Sequence, residues 1–143
     1  MIRKCLTILA MVLTPLSPAF ASADNYVDQA LNAQRAAHGL HAVQPHQLLK
    51  AAAQAHAADM ARHNFMSHRG TDGSTVAQRV RRHGFCYQHV NENIAMGFRD
   101  PAQVMTGWYK SPGHRRNALS RNVTHYGFAA VGRSWVLVMG RPC

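Results

Sequence analysis

Residues 108–117 read Trp-Tyr-Lys-Ser-Pro-Gly-His-Arg-Arg-Asn, a helix break followed at once by a new helix start. Proline disfavours the helical conformation in the residue before it but fits the first position of a helix. We expect the Ser111 hydroxyl to cap the second helix, which places His114 in its first turn. A nucleophilic role for Ser111 is the alternative. Capping needs the same hydroxyl, however, and the chain has no Gly-x-Ser-x-Gly elbow.

The flanks of this stretch predict one more helix and two strands. Upstream, Asp100 and Pro101 mark a helix start, and Gln103 is placed to reach back to the cap. Downstream, residues 124–131 and 135–140 are typical of two strands around a turn at residues 132–134. Residues 135–139 are apolar without interruption, which predicts a strand covered on both faces.

The first half of the chain predicts mainly helices. Apolar spacing indicates one helix over residues 24–38 and a second from Pro45 to about His63. Ser74 is a candidate cap for a short third helix, and residues 91–96 are a short strand candidate. Helices followed by a terminal hairpin predict the α+β class, with helices packed on a small antiparallel sheet.

Residues 1–23 have the pattern of a secretory signal peptide. Arg3 and Lys4 precede an apolar run over residues 6–13, and small residues follow at 19–23. We therefore expect an exported protein, periplasmic or extracellular, with a single domain over residues 24–143. No later stretch has the 18 or more apolar residues of a transmembrane helix.

Export would leave two cysteines, Cys86 and Cys143. In an oxidising compartment such a pair is most simply one disulfide. A free, reactive thiol is the alternative, although nothing near Cys86 in sequence suggests an activated thiolate.

The remaining composition is basic. The 143 residues carry a net charge of +10, and removal of Arg3 and Lys4 with the leader leaves +8. Secretion and the lack of a nucleic-acid-binding motif argue against a nucleic acid partner. Anionic envelope material such as lipopolysaccharide or acidic lipid is the more sensible partner, and a solvated surface without a dedicated partner is an equal alternative.

Three segments concentrate the remaining polar residues, and together they resemble the CAP superfamily in its compact bacterial form. This group includes cysteine-rich secretory proteins, insect venom antigen 5 and plant pathogenesis-related proteins. The segments are Phe65-Met66-Ser67-His68, Glu92-Asn93-Ile94-Ala95 and the stretch at 108–117, and the likeness runs from about residue 24 to residue 143.

The resemblance implies an α-β-α sandwich, the SCP domain, with a surface cleft that two histidines and two glutamates line in many members. His68, Glu92 and His114 match three of those four positions. Ser111 stands where the family has its second glutamate, so this chain has one carboxylate in place of two. The resemblance thus implies a ligand-binding cleft formed by His68, Glu92, Ser111 and His114.

Two imidazoles and one carboxylate suffice for a three-ligand metal site with an open position. Imidazole ligands suit zinc or copper better than calcium or magnesium. A hydrogen-bonded network that fixes the loops, with Glu92 paired to backbone or to an arginine, is the alternative. His56 and His63, seven residues apart with Asp59 between them, form a second candidate pair, but His56 lies on the apolar stripe and is better explained as a core histidine.

CAP proteins have been linked to sterol and fatty-acid binding, to metal-dependent binding of sulfated polymers and, in a few members, to proteolysis. The leading functional hypothesis is a binding module for a small apolar or anionic envelope ligand, with a divalent metal as a possible cofactor. The second is a metal-dependent hydrolase or peptidase that uses His68, His114 and Glu92. The third is a cationic protein that interacts only through its arginines. The sequence is silent on oligomeric state.

Overall fold

The computed structural model describes residues 23–143, so the predicted signal peptide lies outside the described residues except for its last residue. The elements in chain order are α1 (Ala23–Ala37), β1 (Gln44–Pro45), α2 (Gln47–His63), α3 (Val76–Arg82), β2 (Tyr87–Met96), α4 (Pro101–Lys110), α5 (Pro112–Ala118), β3 (His125–Val131) and β4 (Ser134–Pro142). Between residues 23 and 143 we find no helix with the length and apolar content needed to cross a membrane.

The four strands form one sheet in the order β1-β3-β4-β2. The three long strands pair antiparallel, as expected, while the two-residue strand β1 adds a parallel pair with β3. Strand β2 begins four residues earlier than predicted, because it continues its pairing with β4 back to Tyr87. It lies at the edge of the sheet, opposite β1.

Helices cover both faces of the sheet, which confirms the α+β class and the α-β-α sandwich. One face packs against α2 and α3 around Leu49, Met60, Val80, Ile94, Val136 and Val138. The other face packs against α1, α4 and α5 around Val27, Leu31, Trp108, Ala118, Trp135 and Leu137. Strand β4 is buried on both faces, as its uninterrupted apolar run predicted.

The α2–α3 layer lies very close to the sheet at one point. A Cβ atom added to Gly127 of β3 would lie 2.1 Å from the backbone nitrogen of Lys50 in α2. No side chain fits there, so glycine allows the helix to rest directly on the strand. This contact fixes the position of α2 and of the loop that follows it, which carries His68.

Two predicted helix starts were wrong by one or two residues. Helix α2 begins at Gln47 and not at Pro45, because Pro45 pairs with Tyr126 in the sheet and the ring of His46 accepts the cap bond from Leu48 N. Helix α3 is capped by Thr75 and not by Ser74. Thr75 and Gln78 form a reciprocal capping box.

The disulfide between Cys86 and Cys143 is present, with Cα atoms 5.5 Å apart. It joins the residue before β2 to the residue after β4, next to the pair of Tyr87 with Pro142 in the β2–β4 ladder. The disulfide therefore secures the edge strand β2 to the central strand β4.

Candidate functional site

Strand β2 carries the candidate site at the edge of the sheet. Successive strand residues point to opposite faces. Glu92 accordingly meets residues of the α2–α3 layer, and Asn93 meets α5 on the other side. Groups from both helical layers thus converge on two neighbouring residues of one strand.

Glu92 is the buried centre of the site. Its Oε1 lies 2.8 Å from Nδ1 of His68, and its Oε2 accepts a 2.7 Å hydrogen bond from Nη2 of Arg79. The carboxylate is only 1% exposed, whereas the His68 side chain is 59% exposed. Because a carboxylate accepts, Nδ1 of His68 carries the hydrogen, and the outer nitrogen Nε2 is the one left open to a ligand.

Arg79 fixes the loop that presents His68. Besides Glu92, its guanidinium donates to the backbone oxygens of His68, at 3.0 Å, and Ser74, at 2.8 Å. Its sequence neighbours Arg81 and Arg82 are exposed. Arg81 lies over the ring of Tyr87, and Arg82 pairs with Asp72. Arg79 is buried and belongs to the site.

Ser111 occupies the N-cap position of α5, but its hydroxyl makes no capping bond, so that part of the prediction was wrong. Its Oγ lies 2.9 Å from Nδ1 of His114 instead. Burial lowers the pKa of His114, and the nearby His68 lowers it further. No serine–histidine–carboxylate relay results, because Glu92 binds the other histidine.

Three asparagines join α5 to the edge strand, and sequence reasoning missed their role. Asn93 Nδ2 donates to the backbone oxygen of His114 at 2.9 Å. Asn117 Nδ2 lies 3.0 Å from Asn93 Oδ1 and 3.2 Å from the backbone oxygen of Glu92. Asn91 Nδ2 donates to the backbone oxygen of Asn117 at 3.4 Å. The alternation Asn-Glu-Asn at residues 91–93 is the sequence feature that could have indicated this role of the asparagines.

The second candidate pair, His56 and His63, serves the structure of the loop. His56 is buried, and its Nε2 donates to the backbone oxygen of Ser67 at 2.8 Å, next to His68. Burial lowers the pKa of His56. His63 binds Asp59, which also accepts two hydrogen bonds from Thr71. His56 and Asp59 thus hold the segment from 67 to 74 against α2, and His63 contacts Asp59 within the helix.

Within residues 23–143 no three or more His, Cys, Asp or Glu side chains are grouped so that they could hold a metal ion. The two oxygens of Glu92 already contact His68 and Arg79. The donors that the site presents outward are therefore two imidazoles.

Two apolar depressions lie away from these residues. One of about 490 Å³ is bordered by Phe98, Ala102 and Gly107, and one of about 360 Å³ lies between α1 and α4 at Tyr26 and Tyr109. Neither is lined by His68, Glu92, Ser111 or His114. The predicted cleft residues thus form a polar surface separate from these apolar depressions.

Comparison with known proteins supports the fold and the motifs. The family model for the cysteine-rich secretory protein (CAP) family matches residues 29–138. The uncharacterised protein YkwD of Bacillus subtilis is 33% identical over 125 residues, which cover 85% of this chain and 49% of YkwD. The chain therefore spans about half the length of this relative.

Solved structures show the same fold. A Bacillus anthracis structure described as an extracellular protein containing an SCP domain has a TM-score of 0.79 at 26% identity, over 90% of this chain and 45% of that one. An outer surface protein of Borrelia burgdorferi has a TM-score of 0.78 at 17% identity, over 85% of this chain and 93% of that one, and shows the fold alone. This chain belongs to the CAP, or cysteine-rich secretory protein, family.

Proposed function

We propose that this protein is an exported binding module that holds a small anionic ligand of the cell envelope between His68 and His114. The observation that carries the proposal is the buried chain Arg79–Glu92–His68. Glu92, itself paired with the buried Arg79, holds the largely exposed imidazole of His68 in one orientation. A side chain fixed in this way is suited to ligand recognition.

The geometry favours a polar ligand over an apolar one. The outer nitrogens of both rings are free for a ligand, because Nδ1 of His68 binds Glu92 and Nδ1 of His114 contacts Ser111. The rings are surrounded by polar side chains, and the apolar depressions lie elsewhere. The positive net charge of the chain attracts an anion to this surface.

A divalent metal ion fits this site only in part. His68 and His114 would hold it through two imidazoles, which suit zinc or copper. A histidine that binds a metal usually donates its other N–H to a carboxylate or carbonyl, and Glu92 accepts this bond from Nδ1 of His68. Two protein ligands fall short of the three that a catalytic zinc site has. Such an ion would supply positive charge that helps to bind the anion.

The geometry does not favour hydrolysis, because no described carboxylate is placed as a general base beside Ser111 and His114. The two oxygens of Glu92 contact His68 and Arg79.

Export is supported by three independent features. The first residues have the order of charged, apolar and small residues that signal peptides have. The Cys86–Cys143 disulfide suits an oxidising compartment. The Bacillus anthracis relative is described as extracellular.

Native mass spectrometry after incubation with an envelope extract tests the binding proposal. We expect an adduct of defined mass that is lost in His68→Ala and in His114→Ala. His38→Ala, which changes an exposed histidine on α1's C-terminal side, serves as the matched control and should keep the adduct. Adducts that survive both site substitutions would overturn the proposal.

Calorimetric titration with Zn²⁺ and Cu²⁺ tests the metal separately. We expect one metal-binding site. Its affinity should fall at least tenfold in both His68→Ala and His114→Ala, since each substitution removes one of the two ligands. Affinity that neither substitution changes would exclude a metal ion at this site.

A further inference from the structure

A further pocket lies where α1 ends. It has a volume of about 120 Å³ and is lined by Arg35, His41, Arg121 and Arg141, among others. We call it the arginine pocket. None of its residues belongs to the His68–His114 site.

Arg35 places a buried charge at this pocket. The residue is 1% exposed, and burial lowers the pKa of its guanidinium, although arginine stays protonated in proteins. Its Nε donates to the backbone oxygen of His41, and its Nη1 donates to those of Ala118 and Ser120, at 2.8–2.9 Å. These bonds hold the end of α5 against α1, but carbonyl oxygens carry no formal charge to offset the cation.

No described acidic side chain offsets the charge of Arg35 either. Among residues 23–143, Arg35, Arg121 and Arg141 form no ion pair with an aspartate or glutamate, although other cations of the chain do. Nη2 of Arg35 makes no hydrogen bond to any described residue. Three guanidinium groups therefore border one small space without a counter-charge, which is costly for the buried one.

Arg141 supplies a second, independent sign of a missing acceptor. Its Nε is buried and has no hydrogen-bond partner among the described residues. Its Nη2 donates to the backbone oxygen of Arg121 at 3.3 Å, which brings these two arginines together. Buried donors in proteins are nearly always paired, so this N–H indicates an acceptor bound in the pocket.

We propose that the arginine pocket binds a phosphate group, either as inorganic phosphate or as part of a phospholipid headgroup. Arginine forks match the oxygens of phosphate and form charge-assisted hydrogen bonds with them. A volume of 120 Å³ exceeds the roughly 30 Å³ that one water occupies, so the pocket has room for a small oxyanion. Water alone would satisfy the Arg141 donor but would leave the charges unpaired.

Calorimetric titration with inorganic phosphate at constant ionic strength tests this proposal. We expect saturable binding at one site that weakens about tenfold or more in Arg121→Gln and Arg141→Gln, because each change removes a charge-assisted hydrogen bond. Arg99→Gln removes the same charge from an exposed position near the other end of β2 and should change the affinity less than twofold. Circular dichroism verifies that the variants fold.

Two results would overturn the proposal: no saturable phosphate binding, or equal weakening by Arg99→Gln, which would indicate general attraction to the basic surface. His68→Ala should leave phosphate binding unchanged, so this test is independent of the proposed function.

Co-sedimentation with vesicles of phosphatidylglycerol, beside vesicles of phosphatidylcholine, identifies the source of the phosphate. Binding to phosphatidylglycerol alone that falls in Arg141→Gln and is displaced by inorganic phosphate assigns the pocket to a lipid headgroup. Saturable phosphate binding without any Arg141-dependent vesicle binding assigns it to free phosphate.

Discussion

Substitution of Glu92 by glutamine removes one charge from the buried chain Arg79–Glu92–His68 while keeping the shape of the side chain. Arg79 is then left buried with its charge unbalanced, since its other partners are backbone oxygens. Loss of one partner from a buried ion pair costs about 3–5 kcal/mol of unfolding free energy. For a domain of this size we expect the melting temperature to fall by roughly 10–20 °C.

Urea unfolding followed by circular dichroism measures this loss, and a double-mutant cycle assigns it to the pair. Arg79→Met removes the cation, Glu92→Leu removes the carboxylate, and the double variant removes both charges. Because neither charge is then left alone, the double variant should be less destabilised than the two single changes together, by about 2 kcal/mol. A cost below about 1 kcal/mol for Glu92→Gln, or additive costs in the cycle, would refute the reasoning.

Three further predictions concern stability. Cys143→Ser should lower the unfolding free energy by about 4 kcal/mol in urea, since the bridged residues are 57 apart, and wild type in reductant should match it. The lowered pKa of His56 means that the folded state binds fewer protons than the unfolded state, whose histidine pKa is near 6.5. The contribution of His56 to the free energy of unfolding is therefore complete above pH 6.5. It is lost as the pH falls from 6.5 toward the pKa that His56 has in the folded state. In a melting series from pH 7.5 to 5, His56→Gln should show a weaker decline. Thr75→Ala removes a working cap and should cost about 1 kcal/mol in urea unfolding, while Ser111→Ala should cost less than half of that; equal costs would contradict the cap assignment.

The fold was largely predictable, because its decisive signals are local. The uninterrupted apolar run at residues 135–139 predicted a strand buried on both faces, and β4 is that strand. The breaks at Gly and Pro located most helix ends. Thr75 with Gln78 three residues later is also a readable capping-box signal, which the choice of Ser74 overlooked. Pro45 was misassigned because its partner in the sheet, Tyr126, lies 81 positions away in the sequence.

The sequence identified residues of the candidate site but not the hydrogen bonds between them. His68, Glu92 and His114 could be selected from the motifs that carry the family resemblance. That Glu92 binds one histidine and a buried arginine follows from the tertiary packing of α3 against β2. The sequence around Arg79 does not reveal its burial, because its partner Glu92 lies 13 residues later in the chain. Local pattern therefore gives the residue types, and packing decides which of them meet.

The two imidazoles come from opposite helical layers and meet only at the edge strand β2. A partly folded chain with a single layer docked contains one ring or the other but never the pair. Any ligand held by both rings thus stabilises the complete native state by RT ln(1 + [L]/Kd) and gives nothing to partly folded forms. The slowest hydrogen exchange in both layers should therefore slow down by the same factor when ligand is added. Binding of a ligand between the two rings would therefore be a direct readout of complete folding.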